Sequence, residues 1–161
     1  MSKAQTVPTT AVDPTVAAAA SQFLSPVVLG LEALTVNGKQ AHWHVRGANF
    51  VGVHELLDTI VAHAGDFADT AAERIVALGL PIDARLDTVA AKAGKTAVPA
   101  GFAQSDELIR AVISDIDTIL ADVKVAIDGL DEVDLTSQDV AIEIMRGLEK
   151  DRWFLVSHIA A

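Results

Sequence analysis

The placing of His54, Asp58, Asp69 and Glu73 constrains this chain more tightly than any other feature of its sequence. Imidazole and carboxylate together form a donor set suited to iron, zinc or manganese. All four lie in an apolar, helix-forming stretch whose spacing predicts one helix from Asn49 to about Leu78. At about 100° per residue they fall within an arc of roughly 100°, so they share a face. Asp58 and Asp69 are nevertheless about 16 Å apart along the axis, whereas metal–ligand bonds are only about 2 Å long. One ion cannot reach both pairs on one helix. Either there are two separate half-sites, or a second copy of the helix runs antiparallel alongside. A two-fold dimer would set His54 and Asp58 of one chain against Asp69 and Glu73 of the other, and an isologous contact does this twice.

The flanking residues add a resemblance. The run Lys39-Gln40-Ala41-His42-Trp43, then Arg46-Gly47-Ala48-Asn49-Phe50, then His54-Glu55-Leu56-Leu57-Asp58, resembles the Dps family of mini-ferritins. So does Ala72-Glu73-Arg74-Ile75 followed by Leu78-Gly79, and the likeness runs from about residue 20 to the end. It implies that His42, His54 and Asp58 come from one subunit and Asp69 and Glu73 from its two-fold neighbour. That agrees with the distance argument, which needs no family. Trp43 is implied to sit close to the metal, shielding it or taking oxidising equivalents. One departure is His44, where the family often has Asn; it leaves the ligand set intact.

The resemblance further implies a hollow dodecamer that binds Fe(II) and oxidises it at the dimer interface. Hydrogen peroxide is the implied preferred oxidant, with oxygen as the other, and Fe(III) is deposited as a mineral core. The Glu-x-x-His spacing of di-iron bundles is absent, which sets the site apart from the intra-bundle ferritin type.

A chain of 161 residues suits one domain. It is 51% hydrophobic and only 4% aromatic, as closely packed helices allow. With no cysteine there is no disulfide framework and no thiolate metal site. The N-terminus lacks a basic-then-apolar signal pattern, and no apolar run is read as approaching the roughly 18 residues of a membrane span. The expectation is a cytoplasmic protein without a membrane partner. A net charge of −10, from 22 acidic and 12 basic residues, attracts cations and repels nucleic acid.

The pattern along the chain is all-α: a ferritin-like four-helix bundle over residues 13–161, with residues 1–12 as a loose tail. Asp13-Pro14 reads as an N-cap and N1 pair, opening a first helix that runs to about Val45. Its apolar stripe is Leu24, Val27, Leu31 and Leu34, and Gly38 lies inside it at a cost near 1 kcal/mol relative to Ala. Gly47 stops it and Asn49 can cap the second helix, which Gly79 and Pro81 end. The connection over residues 82–104 is long, with a short helix expected at 87–92. Ser105 can cap the third long helix, along which Leu108, Val112, Ile116, Ile119, Val123 and Ile127 keep one face, and Gly129 marks its end. Thr136 or Ser137 begins the fourth, with Val140, Ile144, Leu148, Leu155 and Ile159 as its stripe.

Other polar residues carry weaker signals. His63 lies nine residues beyond His54 and so points about 180° away, to solvent or another contact. His158 sits in a last turn, where an imidazolium complements the helix dipole. Asp66 falls just outside the ligand arc. The acids Asp106, Glu107, Asp115, Asp117, Asp122 and Asp128 read as a solvated helix face. In a three-fold assembly one Asp per chain would instead become three converging charges, and Asp115 and Asp122 are the candidates for such a cation pore. Two other functions fit parts of the pattern. A DNA-protecting structural protein would need phosphate-neutralising cations, yet the first 38 residues hold only Lys3, so DNA binding is expected to be weak or absent. A metal-dependent hydrolase would need an organic substrate pocket that nothing in the sequence marks.

Overall fold

The computed structural model describes residues 12–160; most of the expected N-terminal tail, residues 1–11, lies outside them. The apolar stripes become four long helices: α1 (Pro14–His44), α2 (Phe50–Ala77), α4 (Ser105–Leu130) and α5 (Leu135–Ile159). A short α3 (Leu86–Lys92) interrupts the long connection; a two-residue strand β1 (Val45–Arg46) lies between α1 and α2, and another, β2 (Ala103–Gln104), ends the connection. α1 packs against α2 and α4, and α5 against α4 and α2. Leu24, Leu31, Leu57, Ile60, Leu108, Ile116, Ile144 and Leu148 fill the core between them.

β1 and β2 pair in parallel, Val45 with Ala103 and Arg46 with Gln104. This places the end of α1 beside the start of α4. Since α2 also starts from that end, α2 and α4 run in the same direction. The chain must therefore return along the bundle, about 40 Å for a helix of this length. That return is what the long connection does, as in ferritin-type bundles.

Asp13 caps α1 as expected, its carboxylate accepting the Thr15 N–H at 2.8 Å. α2 ends in a Schellman turn: Gly79 N–H donates to the Val76 carbonyl and Leu80 N–H to that of Ile75. The other caps differ from expectation because their side chains find tertiary partners. Asn49 holds the N-cap position of α2 but makes no side-chain cap; its amide meets His158 Nδ1 at 3.1 Å. Ser105 is the first residue of α4, not its cap, and its hydroxyl donates to the Ala48 carbonyl. α5 starts at Leu135 behind Asp134, and Ser137 is fully buried beneath it. There Arg74 donates to Ser137 Oγ at 2.9 Å and to Asp134 Oδ2 at 2.7 Å, tying α2 to α5. Gly129 lies inside the last turn of α4, and the positive φ that follows falls on Glu132.

α1 is long and apolar enough, by length and composition, to cross a membrane, which the count of strictly apolar residues did not anticipate. Its apolar residues are spent on the bundle: Leu24, Val27, Leu31 and Leu34 are all buried against the other helices.

Gly38 marks the close approach of α1 and α2. A Cβ built there would lie 2.8 Å from Val61 Cγ2. Val is stiff at χ1 in a helix and cannot swing aside. Gly38→Leu is therefore expected to destabilise by about 1–3 kcal/mol through overpacking. Calorimetry should show Tm falling by several degrees; an unchanged Tm would mean that the helices separate freely.

Candidate metal centre

The site begins with the turn between β1 and α2. Gly47 adopts φ 98° and Asn49 φ 52°, and a Cβ on Gly47 would collide with the Gln104 side chain. This tight reversal lays the end of α1 against the first turn of α2. His42 and His54 meet there with ring centroids 3.7 Å apart, stacked at 22°. His42 Nδ1–H donates to the His54 carbonyl at 2.8 Å, and His54 Nδ1–H to the His42 carbonyl at 2.9 Å. A carbonyl can only accept, so both rings are fixed in the Nδ1–H tautomer. In the neutral ring this leaves the lone pair on Nε2, which has no protein hydrogen bond among the described residues. This is the form in which a neutral imidazole binds a metal, with its other nitrogen anchored. Phe50 stacks on the second ring at 5.2 Å.

Asp58 follows one turn after His54 on the exposed face of α2. Lys39 forms an ion pair with it. The hydrogen bond from Lys39 holds the Asp58 carboxyl below the usual aspartate range, against the opposing effect of desolvation. His42, His54 and Asp58 line an open hollow of about 510 Å³ together with Glu55, Thr59, Ala62 and His63. Asp69 and Glu73 are exposed further along the same helix and do not line it. Among the described residues no three His, Asp or Glu side chains of the single chain come together as a metal site. Trp43 adjoins His42 in sequence and is 61% exposed.

The remaining residues find other places. His44 Nδ1 bonds the Gln40 carbonyl and its ring lies against Phe102, outside the hollow. His158 is anchored on Asn49, a contact that the helix-dipole reading did not foresee. Asp66 is exposed outside the hollow. Asp115 is not a free surface charge: Thr96 Oγ1 donates to it at 2.5 Å and Ala97 N–H at 3.1 Å, so it clamps the long connection onto α4. Asp122 lines a small pocket with Thr96 and Asp115, and burial pushes its carboxyl above the usual range.

His63 is half a turn from His54 by helical spacing, yet both line the same hollow. The exposed face of α2 is broad, with α1 along one edge and α5 along the other, and the hollow spans it. At the α5 edge, His63 Nδ1 lies 3.0 Å from both carboxylate oxygens of Asp151. Asp151 is only 2% exposed, and burial raises its pKa while the hydrogen bond from His63 acts against that. Sequence reasoning passed over Asp151. The signal was there: it falls between Leu148 and Leu155 on the apolar stripe of α5, where a lone acid needs a partner.

A parallel-crossover four-helix bundle with histidines and carboxylates gathered on one exposed helix defines a ferritin-like protein, and the comparisons agree. The ferritin-like domain family matches residues 32–161. The chain is 35% identical over 122 residues to the "DNA protection during starvation protein" of Agrobacterium fabrum, covering 75% of each sequence. Among solved structures, that of Dps from Microbacterium arborescens in the high iron form is 70% identical and superposes with a TM-score of 0.92, covering 94% of this chain and 99% of that one. A Mycobacterium smegmatis Dps is 26% identical with a TM-score of 0.88, covering 99% and 96%. The chain belongs to the Dps family of ferritin-like proteins.

The Lys39–Asp58 pair has a measurable pH consequence. A depressed carboxyl pKa contributes stability that is present above the unfolded-state value and lost as pH falls through the folded-state value. Lys39→Met should let the Asp58 carboxyl return upward towards its ordinary range. Carbon-detected NMR titration should then show Asp58 protonating at higher pH than in the parent chain. An unmoved titration would mean that Lys39 does not govern this carboxylate.

Proposed function

We propose that the protein is a ferroxidase that stores iron. Fe(II) binds between His42, His54 and Asp58 of one chain and Asp69 and Glu73 of its two-fold partner. It is oxidised there by hydrogen peroxide or oxygen, and Fe(III) passes into the interior of a dodecameric shell as mineral. Removing Fe(II) and peroxide together limits radical damage in the cytoplasm. The observation that carries this reading is the reciprocal lock of His42 and His54. It anchors both rings through Nδ1 and leaves two Nε2 atoms without a protein partner near Asp58, while the two other carboxylates stand too far along the same helix for one chain to use.

Each group then has a task. The imidazoles bind Fe(II) without adding charge. The three carboxylates are hard donors that stabilise Fe(III) over Fe(II), which favours electron loss to the oxidant. Asp58 becomes a ligand when the arriving cation takes the place of Lys39. Five protein donors that need not all bind at once leave positions for the oxidant, a general requirement of catalytic metal sites. Trp43 stands beside the first ligand as a candidate shield. Of the two pore candidates, Asp122 keeps its carboxylate free of hydrogen bonds within the described residues, whereas that of Asp115 is engaged.

The split between chains gives a decisive test. Asp58→Ala and Glu73→Ala chains should each assemble but oxidise Fe(II) slowly. Refolded together, each mixed two-fold pair regains one intact site of two. Random mixing should therefore restore about a quarter of the parent sites, by isologous symmetry. No recovery on mixing, with the shell formed normally, would place the five residues in one chain or outside the site. Light scattering should give a mass near twelve chains of 16.9 kDa; an active monomer would sink the shell.

The names of several relatives, "DNA protection during starvation protein", raise a second reading. Charge argues against direct DNA binding. Specific phosphate neutralisation needs Lys or Arg, and here the net charge is −10, with Lys3 the one cation before Lys39. Duplex DNA should show no mobility shift at about 0.15 M salt, with at most weak multivalent binding at low salt. Tight binding at that salt by the unmodified protein would overturn the charge argument.

A further inference from the structure

Among the described residues three imidazoles line the hollow on α2, and the proposed centre engages two of them. His42 and His54 offer their Nε2 atoms to the metal. His63 stands apart. Helical spacing and its bond to Asp151 turn it towards α5, away from the middle of the face that would meet a partner helix. It comes five residues after Asp58, about 7.5 Å further along the axis, so it does not share a ligand position with that carboxylate. It borders the same hollow nonetheless.

The His63–Asp151 pair has the build of a proton acceptor. Asp151 is 2% exposed, while the side chain of His63 is 42% exposed. Both Asp151 oxygens lie 3.0 Å from Nδ1, and Nε2 has no hydrogen-bond partner among the described residues. Burial disfavours charge on Asp151, and the bond from His63 acts against that. A proton taken up at Nε2 makes an imidazolium, which the carboxylate behind the ring stabilises. A buried acid placed this way orients the ring and stabilises its protonated form without taking the proton itself. Other charges face the pair from each side. On α5, Lys150 is close enough to act on Asp151. On α2, Glu55 and Asp58 line the hollow, and Asp58 is paired with Lys39 of α1. The apolar ring of Phe67 lies 6.3 Å from that of His63.

The proposed reaction releases protons. Two Fe(II) ions each give one electron to hydrogen peroxide, whose O–O bond breaks. With two waters the products are two FeO(OH) units and four protons. Fe(III) makes its bound water more acidic than Fe(II) does, so protons leave as oxidation proceeds. A carboxylate ordinarily holds no proton near neutral pH, whereas an imidazole takes one up and gives it away there. We propose that His63, positioned by Asp151, accepts at Nε2 the protons released in the hollow and passes them to solvent. Water in the hollow carries them to the ring. The inference rests on the ferroxidase reading, but uses none of its five ligands.

Fe(II) oxidation by hydrogen peroxide in the assembled full chain tests it. Iron absorbance and a pH-indicator dye are followed from about pH 5.5 to 8 at saturating Fe(II), across the range in which histidine titrates. The rate of the parent should rise with pH through an inflection, as free imidazole becomes available. His63→Gln keeps an N–H for Asp151 but cannot take a proton. It should assemble, and it should bind Fe(II) in the absence of oxidant as the parent does. It should lose the inflection and oxidise about tenfold more slowly at neutral pH, with proton release slowed in step. That is less than the roughly 10²–10⁴ of a base in contact with its substrate. Asp151→Asn removes the charge that favours the imidazolium and should move the inflection to lower pH; should that buried substitution prevent folding, His63→Gln decides alone. A parent without an inflection would overturn the inference. So would weakened Fe(II) binding in His63→Gln, since His63 would then be a ligand. A parent that oxidises no Fe(II) would remove the ferroxidase reading and this inference with it. Equal rates and an unchanged inflection in His63→Gln would remove this inference alone.

Discussion

The exchange of hydrogen bonds between His42 and His54 depends on a reversal of the chain within a few residues, and the rest of the site depends on that exchange. Two imidazoles on separate helices can each reach the other's carbonyl only if the helix ends meet at close range. Gly47 and Asn49 supply the backbone conformations for this, and β1 pairing with β2 holds the turn from outside. The hydroxyl of Ser105 adds a tie to Ala48 from the start of α4. A buried donor left without its carbonyl would cost about 1–3 kcal/mol, so the lock also stabilises the turn that creates it. Structure and donor preparation are here the same two hydrogen bonds.

The bundle is fastened at both ends of α2. One fastening is the strand pair at the turn. The other is the Arg74 guanidinium, which spans Ser137 and Asp134 at the start of α5. Between them, Leu57, Ile60 and Ile75 bury one side of α2 and leave the opposite side as a broad exposed face. α1 contributes His42 and Lys39 at one edge of that face, and α5 contributes Asp151 at the other. The chemistry is thus arranged across a face whose centre is nearly bare of large side chains.

Much of this was legible in the sequence because periodicity and spacing are local properties. The stripes through Leu24, Leu108 and Ile144 named the helices, and the distance from Asp58 to Asp69 ruled out one ion reaching both pairs of donors on one helix. What failed was equally physical. Asn49 and Ser105 look like caps because their side chains can serve backbone donors, but partners distant in sequence, His158 and Ala48, compete for them. Gly129 does stand at the end of α4, one residue before Leu130, but the positive φ falls later, on Glu132, and Phe23 occupies the place of the missing side chain. A helical wheel set His63 half a turn from His54; it could not show that both would line one hollow or that α5 would bring a buried acid to meet His63. Asp115 was read as solvated or pore-lining, and only the path of the long connection gives it Thr96 and Ala97 as partners.

All five proposed donors fall between His42 and Glu73, on the hairpin made by α1 and α2, and none on α4 or α5. During synthesis that hairpin leaves the ribosome first, and its contacts are close in sequence, the kind that form quickly. Both partners of the imidazole lock belong to that hairpin, and β2 and Ser105 follow later to hold its turn. The second hairpin adds its strand, its guanidinium partners and Asp151 afterwards. Division of labour in the finished bundle thus follows the order of translation: the first half of the chain carries the donors, and the second half secures them.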